Sequence, residues 1–299
     1  MSGSTNPPIR EAQNSESSLR LLAAQRQMYS DAKVLHFSRI SVVFTSGAIV
    51  TTLTFSLQSF RPAVGAVTGF ALLILTLASS TREKRKIELA ATVQELFDTN
   101  VYKLPWPTKV KVEKPSAADI ARASLRNSRK NLENWYGIGT SAVRPLDLLI
   151  CQRANLGWGI ATHRAWAAFN LWLGVLLLAA TTAAAAFSGL TLFEAILGVY
   201  APLVPTFKEL IDSWIKNQQS AKTKEGLDSS AAALWNSSIK SKKTPSESQC
   251  RKLQDGILES RMGSPLIPDW FNSVMRNREE SVMRLSAADY EEQVVEIKF

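Results

Sequence analysis

Four stretches of this chain, residues 40–59, 62–80, 166–187 and 190–207, are apolar over close to the length a helix needs to cross a bilayer. The first three contain no Asp, Glu, Lys or Arg. A hydrocarbon core about 30 Å thick asks for roughly 20 such residues, and soluble cores rarely supply so long a run without a charge. The fourth stretch is weaker, because it holds Glu194, Pro202 and Pro205. Within each pair the link is short, Phe60-Arg61 in the first and Ser188-Gly189 in the second. The expected fold is therefore all-α: an integral membrane protein with four transmembrane helices as two hairpins, carrying helical cytoplasmic extensions. Mean hydropathy, −0.04, conceals this because long polar segments offset the apolar ones.

Basic charge gives the orientation. The net charge is +9, and of 35 Lys and Arg all except Arg61 fall on one side of the implied topology. The positive-inside rule puts both termini and the middle segment in the cytoplasm. Five regions follow: an N-terminal cytoplasmic helix (1–39), a first transmembrane hairpin (40–80), a cytoplasmic helical segment (81–165), a second hairpin (166–207) and a C-terminal cytoplasmic helical region (208–299). No cleavable signal peptide is evident, since mostly polar sequence precedes the first apolar run.

Several function classes recede on composition. Cys151 and Cys250 fall on the cytoplasmic side without C-x-x-C spacing, and there are only two histidines, so no metal site is expected. No phosphate-cradling Gly-rich loop, nucleophile elbow or H-E-x-x-H occurs, so no catalytic residues are assigned. Nucleic acid is not an expected partner, because the basic excess follows topology and no recognised binding motif accompanies it.

The membrane faces have their own pattern. Ser41, Thr45, Thr52 and Ser56 share one helical face with Ala48. Gly65, Thr68, Gly69, Thr76 and Ser79 form a second face of small residues. Such faces serve either close helix packing or, after oligomerisation, the lining of a wet pore. On the second reading Ser41, Thr45, Thr52, Ser56, Thr68 and Thr76 are the lining. Thr191 and Glu194 have capping-box spacing near the outer end of the fourth helix, and an ion pathway is the alternative role for Glu194. Pro202 and Pro205 are expected to kink the inner half of that helix.

In the cytoplasmic parts, residues 15–37, 82–97 and 208–219 read as helices continuing the spans below the membrane. Ser116 caps another helix, and Arg122, Arg126 and Arg129 at i, i+4, i+7 form a basic stripe, either solvated or lipid-facing or set for a phosphate. Residues 220–244 are Ser/Lys-rich and weakly patterned, a mobile connection. A helix over 251–262 turns Leu253, Ile257 and Leu258 inward and stops at Gly263 and Pro265. A second runs to residue 288 with Phe271, Val274, Met275, Val282 and Leu285 on one face and Arg278 among them. A guanidinium there needs a carboxylate such as Asp255, Asp269 or Glu280, or a bound anion.

The cytoplasmic motifs, in order, resemble one family. They are Ile9-x-x-x-Gln13-Asn14, Gln94-Glu95-Leu96-Phe97-Asp98, Leu104-Pro105-Trp106, Trp135-Tyr136, Cys151-Gln152-Arg153-x-Asn155-Leu156, Gln254-Asp255-x5-Arg261, and Pro268-Asp269-Trp270-Phe271 with Arg276 and Glu280 downstream. This series is similar to the SMODS-associated four-transmembrane effectors of bacterial antiphage systems. The resemblance implies a homo-oligomeric pore-former of the bacterial inner membrane, embedded in the lipid bilayer and linked to a nucleotidyltransferase that makes a cyclic nucleotide. It implies no cofactor beyond a cyclic (oligo)nucleotide ligand. Arg261, Arg276 and Arg278, with the Arg122/Arg126/Arg129 stripe, become candidate phosphate contacts. Gln152, Arg153, Gln254, Asp255, Asp269 and Glu280 become polar contacts between cytoplasmic helices, and Trp106, Trp135 and Trp270 packing anchors. Two rivals are a non-conducting membrane scaffold that recruits a partner and a small channel or transporter.

Overall fold

The computed structural model describes residues 7–56, 61–139 and 142–297, without the side chains of residues 51, 53–56, 61–80, 197 and 297. The side chains of Ser56, Thr68 and Thr76 thus lie outside the described residues. Every regular element among the described residues is helical: α1 (Ile9–Ala12), α2 (Glu16–Ser56), α3 (Arg61–Tyr102), α4 (Ala117–Leu125), α5 (Leu146–Phe187), α6 (Leu192–Ala195), α7 (Ala201–Ser241), α8 (Glu247–Gly263) and α9 (Asp269–Ile297). A π-helical turn, Ile196–Tyr200, joins α6 to α7.

Four helices set the scale. α2, α3, α5 and α7 have 41, 42, 42 and 41 residues. At 1.5 Å per residue each is about 60 Å long, roughly twice the hydrocarbon thickness. Each therefore outlasts its apolar stretch and continues into a polar one. Two of them, over Glu16–Val50 and Leu146–Phe187, are long and apolar enough to cross a membrane. In the most apolar window of the second, only 11% of the residues are buried inside the protein. Leu171, Trp172, Val175, Leu176 and Leu178 all face outward there.

The core lies at the other end of the same helices. Leu22, Ala23 and Ala24 of α2, Ala90, Val93 and Phe97 of α3, Leu148 and Leu149 of α5, and Trp235 of α7 pack together, closed by Leu253 and Ile257 of α8. Small residues on α2 and α3 bring these two backbones close, and the large side chains of α5 and α7 fill the remaining space. α2 and α3 run antiparallel, with Tyr29 donating to Gln94 Oε1 at 3.4 Å and His36 Nδ1 lying 2.8 Å from Glu83 Oε1. α5 and α7 are also antiparallel, registered by Arg153–Asp228 at 2.9 Å, His163–Asn217 at 2.7 Å and Thr182–Tyr200 at 2.7 Å. α9 returns along α5, from Trp270 beside Trp166 to Tyr290 beneath the Arg153 guanidinium.

Local chemistry explains most helix ends. Ser116 Oγ accepts from the Asp119 amide at 3.1 Å. Capping boxes open α6 at Thr191/Glu194 and α8 at Ser246/Gln249. Neither proline of the fourth stretch can donate a helical hydrogen bond, and the chain absorbs the loss upstream. The Ala201 amide reaches back to the Ile196 carbonyl, the i→i−5 bond of a π turn.

Three expectations need correction. Residues 220–241 are not a loose connection: α7 runs unbroken to Ser241, since its pattern of Ala, Ser and Lys is compatible with helix once Ala221, Ala231 and Trp235 have partners to bury against. The Arg122/Arg126/Arg129 stripe is not one helical face. α4 ends at Leu125, Arg126 is its cap, and Arg129 sits at φ 54° in a turn. Finally, Arg278 is not on a buried face. It is 81% exposed, because α9 turns Phe271, Glu279, Ala287 and Val294 inward and Val274, Val282 and Leu285 outward.

Candidate functional site

Beneath the apolar halves, one cluster of charged and polar side chains is sealed inside the core. α3 supplies Glu95 and Asp98, a turn apart on one face and both fully buried. α8 answers with Arg251, Gln254 and Arg261, which meet α3, and Asp255, which braces Arg251 from the next turn of α8. Arg251 Nη2 donates to Glu95 Oε1 at 2.6 Å, and its Nε to Asp255 Oδ1 at 3.0 Å. Arg261 Nη1 donates to Asp98 Oδ2 at 2.6 Å. Between the ion pairs, Gln254 Nε2 bridges Glu95 Oε2 at 2.8 Å and Asp98 Oδ2 at 2.9 Å.

The remaining contacts tie in the rest of the body. Tyr136 donates its hydroxyl to Asp98 Oδ1 at 2.6 Å, and its ring stacks on Phe97. Gln13 holds the Tyr136 backbone from both sides, donating to its carbonyl at 3.1 Å and accepting from its amide at 2.8 Å. From α5, Gln152 Nε2 donates to Gln254 Oε1 at 3.0 Å and to the Cys250 carbonyl at 3.1 Å. Arg251 Nη1 also caps the Pro105 carbonyl at 3.1 Å, fixing the turn after α3. Tyr136 and α8 reach the two carboxylates directly, and Gln13 and Gln152 join the network through Tyr136 and Gln254.

Electrostatics separates the members. Burial, and then the like charge of Asp98, pushes the Glu95 carboxyl up to about 7, against the pull of Arg251, Arg261 and Gln254. Burial works against the charge on Arg261 as well, but Asp98, Tyr136 and Glu95 more than offset it and hold its guanidinium above the usual arginine range. The Tyr136 phenol is driven well above its ordinary value by burial and by Asp98. Glu95 is thus the member poised to change protonation near neutrality.

A third buried basic side chain lies next to this network. Lys224 of α7, 7% exposed, donates to Ser220 Oγ at 2.8 Å, Ser260 Oγ at 3.1 Å and Ser264 Oγ at 2.6 Å. Its ammonium stands at the C-terminal end of α8, the negative end of the helix dipole. Burial, followed by repulsion from Arg261, lowers it to about 7. Gly159 makes room, since a methyl there would stand 2.7 Å from the lysine stem.

The structure divides the sequence candidates. It brings together Gln152, Gln254, Asp255 and Arg261, and places Arg153 nearby in its ion pair with Asp228. Arg261 is inside the network rather than open to a ligand. Asp269 pairs with Lys33 at 2.5 Å, and Glu280 lies 4.0 Å from Arg276. Arg122 pairs with Asp119 at 2.8 Å, Arg126 with Asp31, and Arg129 with Glu16 at 2.5 Å. Ser41, Thr45 and Thr52 face outward on α2, and the last two hydroxyls donate to the carbonyls of Ser41 and Ala48 on their own helix. Trp270 keeps 55% of its surface exposed beside the Trp166–Phe271 cluster. Sequence reasoning assigned no role to Glu95, Asp98, Arg251 or Lys224. The first two lay in a quoted motif, and their i, i+3 spacing was the available signal.

Long helices that emerge from this polar core to become outwardly apolar define a helical membrane protein with a packed body at one end of its spans. The chain belongs to the SMODS-associating 4TM effector domain family, which matches residues 7–290. It is similar to a protein of Bacillus cereus (strain VD146) named "Probable CBASS effector molecule", 28% identical over 290 residues, which cover 91% of this chain and 95% of that protein. No solved structure matches this chain.

Proposed function

We propose that this protein is an antiphage membrane effector: a cyclic nucleotide acts on its cytoplasmic body, and its spans then open a pore in the bacterial inner membrane. The supporting observation is the continuity of α2, α3, α5 and α7 from the buried network into the apolar halves. A change at one end of a rigid helix is felt at the other. In this reading the four apolar stretches cross as two hairpins with both termini in the cytoplasm, supported by the placement of basic residues. The outward hydroxyl face of α2 is where copies of the chain pack against one another in a homo-oligomer. The exposed arginines, Arg122, Arg126, Arg129, Arg276 and Arg278, are the accessible candidates for ligand phosphates. The signal must bind the open state more tightly than the closed one, since equal affinity shifts nothing.

Full-length protein in dye-loaded proteoliposomes, offered a panel of synthetic cyclic di- and trinucleotides, tests this directly. Dye release with at least one nucleotide is the expected result. Nucleotide binding without release would instead support a non-conducting scaffold.

A further inference from the structure

We infer that the seam where α2, α5 and α7 meet, lined by Arg39, Glu209, Asn170 and Thr206, is the route by which water and small ions cross when the protein opens. The inference rests on the pore reading above and specifies where the opening forms.

The seam stays polar from the base of the apolar halves, at Arg39 and Glu209, into them at Asn170 and Thr206. Arg39 Nη1 meets Glu209 Oε1 at 2.5 Å, binding the base of α2 to α7. Two turns further along α2, a methyl on Gly47 would stand 3.1 Å from Thr206 Oγ1 and 3.3 Å from the Pro202 carbonyl. The backbones therefore touch beside the π turn. On α5, Asn170 is 5% exposed and lies on the face that carries His163 below it and Gly174 above it. His163 meets Asn217 of α7, and Gly174 stands against Leu210. Nearer the outer end, the exposed Thr182 hydroxyl of α5 lies 2.7 Å from that of Tyr200 in the π turn. Polar groups thus recur at intervals along this side of α5, at His163, Asn170 and Thr182.

Two of these groups are unsatisfied. Thr206 Oγ1 and Arg39 Nε are buried with no hydrogen-bond partner. A buried hydroxyl without a partner costs stability, and water is the partner that relieves it. Polar side chains that face a bundle interior mark ion paths, and π turns and prolines mark places where a helix can bend. Bending at the π turn, Ile196–Tyr200, where α6 joins α7, would let the start of α7 draw Thr206 away from Gly47 and admit water to the unsatisfied atoms. Asn170, whose amide donates to the Trp166 carbonyl at 2.7 Å, is buried, whereas the Thr45 and Thr52 hydroxyls, which also donate within their own helix, face outward.

The test compares two double variants in proteoliposomes, reading K⁺ efflux after the same nucleotide panel. N170L/T206V should cut efflux about tenfold by making the seam a dry constriction. T45V/T52V should leave efflux within about twofold of wild type, because these outward hydroxyls lie away from the seam. Thr206→Val alone, close to isosteric, should raise the Tm of the resting protein while lowering efflux; a merely structural hydroxyl would not separate the two readouts in that direction. Unchanged efflux in N170L/T206V beside a conducting wild type overturns the route alone, as does loss confined to T45V/T52V. If wild type releases no ion with any nucleotide, the pore reading fails and the route fails with it.

Discussion

The two polar interiors of this protein are built to opposite standards. In the packed body, Glu95, Asp98, Gln254, Arg251 and Arg261 satisfy one another, and the Gln152 carbonyl oxygen is the exception among the described side chains of the network. Between α2 and α7, Thr206 Oγ1 and Arg39 Nε are left without partners, and the helix beside them has abandoned α geometry for a π turn. A fully satisfied polar network makes one arrangement much better than its neighbours, so it holds parts together. A partly satisfied one leaves energy to be recovered by rearrangement. The contrast assigns rigidity to the body and movement to the seam.

The hardest way to break that contrast is to remove a network cation. Arg261→Met leaves Asp98 buried without its guanidinium, while Glu95 keeps Arg251, and breaking a buried pair from one side costs about 3–5 kcal/mol. Thermal unfolding in nanodiscs should show a loss of that order, or no folded protein. Arg39→Met at the seam should cost clearly less, because Glu209 retains 17% side-chain exposure and access to water. Equal losses would erase the distinction between the two interiors.

A pH series sharpens it next. Glu95 moves from 4.5 in the unfolded chain to about 7 in the fold, so the native state binds this proton more tightly. Its contribution to stability is complete below about 4.5 and is lost as pH rises through 7, a change of about 3 kcal/mol by linkage. Glu95→Gln cannot titrate. The stability difference between wild type and E95Q should therefore fall across that window and level off above it. A flat difference would mean the network tolerates both carboxylate charges equally.

Lys224 works in the opposite sense and in a neighbouring window. Its pKa falls from 10.5 to about 7 on folding, so its cost is absent above 10.5 and grows to its full value as pH falls to 7. Lys224→Met should stabilise the protein at pH 7, by roughly 2 kcal/mol after allowance for its lost hydroxyl contacts, and the gain should fade toward pH 10. Should K224M instead destabilise at pH 7, the three serine contacts outweigh desolvation, and this lysine belongs with the satisfied network.

How much of this could be seen in the sequence depends on range. The Thr191/Glu194 box, the Ser116 cap and the running of apolar helices on into polar ones follow from residues within a few positions and were legible. The Ser246/Gln249 box was not singled out, and the prolines, expected to kink the helix's inner half, are preceded by a π turn instead. The Gln94–Asp98 and Gln254–Arg261 motifs were visible as patterns, yet nothing in either says that Glu95 meets Arg251, 156 residues later. Periodicity tells which face of a helix is inward but not what faces it. The helix over 220–241 was missed for a related reason: its burial depends on Ala and Ser against α5 and α8, and such residues carry little pattern of their own.

Arg278 makes the last and smallest test. Read from sequence, its place among Val274, Val282 and Leu285 demanded a buried counter-charge. In the fold that face of α9 points outward, and the guanidinium lies 4.0 Å from Glu279 with 81% of its side chain exposed. Exposed pairs of this kind are worth little, so Arg278→Ala should change stability by no more than about 0.5 kcal/mol. Chemical denaturation of R278A beside R261M then reads the two arginines on one scale. A cost for R278A approaching that of R261M would mean that the outer face of α9 is covered, and the satisfied interior would extend to this helix.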